Sequence, residues 1–93
     1  MKPNSAETCC RLGDASPRFR GRIVSVTGAL SDSSLPSDEL ERRLVEMGFV
    51  EGASVELRHQ GLFRADPIAV QVDGTLVALR RREAQAILVS AGD

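Results

Sequence analysis

The sequence predicts a mainly β domain: a small closed β-barrel of five or six short strands, with one α-helix (about 37–47) packed across it and a short helical turn near 80–86. Three observations lead there. "PIAVQVDGTLVALR" reads as a hairpin whose turn chemistry and hydrophobic phase agree. "ERRLVEMGFVEGASVELR" reads as a helix that stops abruptly and hands the chain to a strand. Short β-branched clusters near Ile23 and near Ile87 supply further strands, separated by turn residues.

In chain order, residues 1 to about 10 are polar and patternless and read as a disordered tail, with one domain over residues 11–90. "RFRGRIVSVTG" carries Ile23, Val24, Val26 and Thr27 and ends at Gly28, which suits a strand. The Ser-rich "ALSDSSLP" is a loop. Pro36 and Ser37, followed by Asp38, Glu39 and Glu41, mark a helix start, with a hydroxyl to cap and acids at the positive end of the dipole. Leu40, Leu44 and Met47 form one apolar stripe, with Glu39, Glu41, Arg42 and Glu46 directed outward. Gly48 stands where a left-handed residue ends a helix. Phe49 and Val50 return to the core, and Glu51-Gly52 turns into "ASVELRH".

"GLFRADP" reads as a connecting loop. Asp73-Gly74 is a two-residue hairpin signal, because a type I′ turn needs positive φ at both positions. It sets Val72 opposite Thr75, Val70 opposite Val77 and Ile68 opposite Leu79, all on one face. "RRREAQAI" is a helical turn and "ILV" a closing strand.

Composition narrows the function classes. There is no Trp or Tyr and there are three Phe, so the core is aliphatic. Twelve basic against 13 acidic residues give a net charge of −1, which argues against a nucleic-acid partner. The charges are uneven: four Arg and one Asp between Arg11 and Arg22, six acids and two Arg between Asp38 and Glu56. Cys9 and Cys10 are adjacent, a spacing that suits neither a disulfide nor a zinc site. No segment has the length and hydropathy to insert into a bilayer, so the chain reads as cytoplasmic.

"RRLVEMGFVEGASVEL" followed by "DPIAVQVDGTLVALRRREAQAILV" resembles the FeoA family, small cytosolic partner proteins of bacterial ferrous iron transport. The residues that carry the resemblance are Arg43, Leu44, Gly48 and Gly52, then Asp66, Pro67, Asp73 and Gly74, with Ala78-Leu79-Arg80, Glu83-Ala84 and the final strand. "LGDASPRFRGRIVSV" is similar to the family's first strand, although Arg18 follows Pro17 where the family usually has Gly. The resemblance implies an SH3-like barrel and a non-enzymatic role, with a FeoB-type membrane ferrous iron transporter as partner. The same barrel is implied at the C-terminus of metal-dependent repressors, which leaves other protein–protein interactions as an alternative.

Candidate sites are sparse. His59, in phase with Val55 and Leu57, has no second ligand near it in sequence and reads as a barrel-edge residue, so no metal site, catalytic residue or cofactor is expected. Gly48 and Gly52 lead into a strand and make no phosphate loop. Leu62, Phe63 and Arg64, with Arg81 and Arg82, are the candidate partner-binding residues: two bulky apolar groups in a loop beside arginines. Of the three consecutive arginines the resemblance implies a structural role for Arg80, leaving Arg81 and Arg82 freer. The stiff joint at Gly48 gives a preformed contact surface, and homo-oligomerisation is left open.

Overall fold

Alternation of apolar and polar residues gives each strand one face for the core and one for water. The computed structural model describes residues 9–31, 35–63 and 65–92. Its elements are β1 (Cys9–Arg11), β2 (Arg20–Val26), α1 (Ser37–Glu46), β3 (Ser54–Phe63), β4 (Asp66–Val72), β5 (Thr75–Leu79), α2 (Arg81–Ala84) and β6 (Ile87–Ala91), with 3-10 turns at Leu12–Asp14 and Gly28–Leu30. The six strands form one antiparallel sheet in the order β1-β6-β2-β3-β4-β5.

The core is aliphatic apart from Phe49. Ile23, Val55, Leu57, Ile68, Val70, Val72, Leu79, Ile87 and Val89 come from the strands, and Leu40, Leu44, Phe49 and Leu12 close over them. Each such side chain contributes about 1.5–3 kcal/mol relative to exposure. The hairpin has the expected register, Val72–Thr75, Val70–Val77 and Ile68–Leu79. Its turn residues have φ of 45° at Asp73 and 89° at Gly74. The Asp73 carboxylate also accepts the Ser54 N–H at 3.2 Å, which ties the turn to β3.

The end of α1 satisfies its own carbonyls. Phe49 N–H donates to the Leu44 carbonyl and Gly48 N–H to that of Val45, both at 3.0 Å, the paired bonds of a Schellman motif. Gly48 takes φ of 107°, which only glycine adopts without strain. Leu44 and Phe49, the two residues the motif brings together, are both fully buried.

Four expectations are corrected. Ser37 is the first helical residue, Pro36 precedes it, and no side chain caps the helix. Met47 lies past the last helical turn and is 37% exposed; Phe49 fills the third core position instead. Glu41 turns inward, where its carboxylate accepts the N–H of buried Gly28 at 2.8 Å. Cys9 and Cys10 form β1 against β6, where the tail was expected, and Cys10 is half-buried against the core.

Candidate partner-binding end of the barrel

The second half of β3 does not run as a simple alternation. Register shifts fall between Leu57 and His59 and again between Gln60 and Phe63. The first leaves Arg58 and His59 both exposed, so His59 is not in phase with Val55 and Leu57 as the sequence suggested. The second carries β3 through Gly61 to Phe63, which pairs with Asp66. The expected loop is therefore mostly strand. Gly61 is needed there because a Cβ would collide with the Asp66 carbonyl. The side chains of Leu62 and Phe63, and the whole of Arg64, lie outside the described residues.

Both flanks of that segment are tied to Arg81. Its Nε donates to the Ala65 carbonyl at 2.8 Å and its Nη2 to Gln60 Oε1 at 2.9 Å. Its Nη1 donates to the carbonyls of Gly13 at 3.0 Å and Ala15 at 2.9 Å. Its backbone N–H donates to Asp66 Oδ1 at 2.9 Å, so Asp66 supplies the first turn of α2 with an acceptor. Arg81, the residue expected to be freer, is thus the clamp between the first 3-10 turn, β3 and the turn into β4. The reason is geometric: a planar guanidinium can serve several carbonyls at once, which an ammonium cannot.

Arg80 precedes α2, is exposed, and donates its backbone N–H to Glu83 Oε1 at 3.1 Å. Arg82 is exposed and its carbonyl accepts the Ser31 hydroxyl at 2.7 Å. Next to this clamp, Gln85 Nε2 donates to Asp14 Oδ1 at 2.8 Å and Arg11 Nη1 donates to Gln85 Oε1 at 3.3 Å. Of the sequence candidates, Arg81 is thus bound to both flanks of the segment 62–64, while Arg82 is exposed and meets Ser31.

The other motif residues divide by role. Leu44 is core, and Arg43 is exposed with an i,i+4 contact to Glu39 at 3.7 Å. Gly52 has φ of 89°, donates to the Ile23 carbonyl and accepts Arg22 Nη1 at 3.0 Å. Pro67 is exposed beside Asp66. Around the helix-to-strand corner Val45, Met47 and Val50 remain exposed by 48%, 37% and 41%. A shallow groove of about 170 Å³ between β2, β3 and β4 is walled by Arg20, Glu56, Gln71 and Asp73. Among the described residues no group of three or more His, Cys, Asp or Glu is placed to hold a metal.

A family model, the FeoA domain, matches residues 10–91. The chain belongs to the FeoA family. The crystal structure of Stenotrophomonas maltophilia FeoA complexed with zinc, described as a prokaryotic SH3 domain protein, is 31% identical. It covers 86% of this chain and 88% of that one at a TM-score of 0.69. The solution structure of the Chlorobium tepidum FeoA protein is 29% identical over 88% of this chain and 70% of that one, with a TM-score of 0.68. A manganese-dependent transcriptional repressor covers 96% of this chain and 44% of that one at 20% identity and a TM-score of 0.74, a likeness of fold alone. No curated protein matches the chain. The FeoA-domain sheet is thus the SH3-like one expected. Arg18, where Gly was expected, has φ of 74° as the third residue of a turn closed by Phe19 N–H to the Ser16 carbonyl. Pro17 and Arg18 occupy the Pro and Gly positions of a type II turn.

Proposed function

We propose that this FeoA-family chain is a small adaptor of ferrous iron uptake, which docks on the cytosolic part of a FeoB-type transporter and performs no chemistry of its own. One observation carries the reading: the FeoA domain accounts for residues 10–91, nearly the whole of the described chain, so its surface is where function resides. The rigid scaffold supports it, because a preformed surface loses little conformational freedom on docking. We assign docking to Leu62, Phe63, Arg64 and Arg82, with Arg81 holding the flanks of the segment 62–64 through Gln60 and Ala65. Cytoplasmic placement follows from the same reading. Among the described residues no helix is long and apolar enough to cross a membrane.

The test is titration calorimetry of the chain against the transporter's cytosolic region, with a thermal melt on each variant. Phe63→Ala should weaken binding by about 1–3 kcal/mol, the scale of an interface anchor, while the melt stays intact. A lost melt would instead make Phe63 a plug of the barrel end. Absence of binding by the native chain would refute the adaptor reading, and a shifted RNA or DNA band at low salt would favour a nucleic-acid module.

A further inference from the structure

Strand β5 is the last strand at one end of the sheet. One of its edges pairs with β4 from Ile68–Leu79 to Val72–Thr75. Among the described residues its other edge carries no hydrogen bond. Soluble proteins guard such an edge with charge, proline or a bulge. β5 has none of these: "TLVAL" contains no charged residue and no proline, and its pairing with β4 runs without a register shift. Leu76 projects from it at 60% exposure, the highest among the large apolar side chains of the described residues.

The flanking charges are self-complementary. Asp73 precedes the strand and Arg80 follows it. Consider a second copy placed antiparallel, related by a two-fold axis perpendicular to the sheet and midway between the Val77 residues of the two copies. Opposed residues have numbers that sum to twice 77. Leu76 then faces Ala78 of the other copy, and Arg80 faces Gly74, beside Asp73. Outward-facing residues meet outward-facing ones, as antiparallel pairing requires. A parallel pairing would set Arg80 beside Arg80 and Asp73 beside Asp73.

We infer that the unguarded edge of β5 is a self-association site, pairing with β5 of a second copy in an isologous antiparallel dimer. The contact is one short strand pair, well below the ~1,000 Å² of a stable interface, so the dimer is transient, with Kd between ~10 µM and ~1 mM.

Equilibrium sedimentation of the native chain across ~10 µM to ~1 mM tests this. The mass should rise from 10.0 kDa toward twice that value. Leu76→Lys should weaken association at least tenfold, because it sets a charge on the edge. Val45→Lys, on the 48% exposed position of α1, should leave association unchanged. A mass that stays at 10.0 kDa throughout overturns the proposal, as does equal association by Leu76→Lys or equal loss in Val45→Lys. If Leu76→Lys fails to fold by circular dichroism, amide exchange on the native chain decides. Protection of the β5 amides must rise with concentration, and unchanged protection overturns the inference.

Discussion

Replacing Arg81 by alanine removes four side-chain hydrogen bonds at once, to the carbonyls of Gly13, Ala15 and Ala65 and to Gln60. Summing these as independent bonds to a charged group would overshoot, since members of one network are coupled. The better measure is what is left without a donor. Gln60 is exposed and Ala65 half-exposed, so water replaces the guanidinium there. Gly13 and Ala15 are buried, and their carbonyls remain unsatisfied. At about 1–3 kcal/mol for each buried polar group left unpaired, the loss is roughly 2–4 kcal/mol after allowing for partial relaxation. In a domain of this size each kcal/mol moves the Tm by about 4–8 °C, so the midpoint should fall by roughly 8–32 °C. Arg81→Lys should recover less than half of it, because one ammonium cannot reach carbonyls on both sides. The assay is thermal and urea unfolding followed by circular dichroism, with Arg82→Ala as the exposed control, expected within about 0.5 kcal/mol of native. An Arg81→Ala midpoint within ~4 °C of native would refute the clamp.

Three further outcomes follow from the backbone. Gly48→Ala should destabilise by roughly 1–2 kcal/mol, from the positive φ alone. The added Cβ would make ordinary contact with Val72 Cγ1 at 3.7 Å, so an unchanged urea midpoint would remove Gly48 from the helix stop. Arg18→Gly should stabilise, by up to about 1 kcal/mol, because it relieves a left-handed residue in a type II turn. A lowered Tm would contradict that assignment. Glu41→Ala should cost about 1–3 kcal/mol by leaving the buried Gly28 N–H without its carboxylate, read as loss of protection of that amide and a lower melting midpoint.

The elements whose local chemistry and hydrophobic phase agree were legible in sequence. Asp73-Gly74 fixed a register that five aliphatic side chains independently required, and Gly48 stood just past the helix end, where the stop needs positive φ. The bulges of β3 were hidden, because an extra residue in a strand leaves no periodic mark, and Gly61 read as loop when it permits a close backbone approach. The exposure of Met47 was missed because a heptad-like spacing says nothing about where the helix stops turning. The Arg81 clamp was missed for another reason. Its acceptors are carbonyls at Gly13, Ala15 and Ala65, and a carbonyl is carried by every residue, so no spacing or residue type announces them. The available signal was indirect: Gly13 lies where a Cβ would collide with the Arg81 carbonyl.

The strand order has a consequence for biosynthesis. β6 is made last among the six strands, yet it lies between β1 and β2 in the sheet. A growing chain that has emerged only as far as β5 can form the β3-β4-β5 meander, but β1 has no neighbour and β2 lacks one of its two. Ile87 and Val89, both fully buried, are also missing from the core at that stage. Two of the sheet's five contacts therefore wait for Ala91 to leave the ribosome. Pairing across such a large sequence separation closes slowly. Nascent chains should stay protease-sensitive until this strand is free, and a stop codon placed just before Ile87 should yield a product that is degraded rather than a weakened domain.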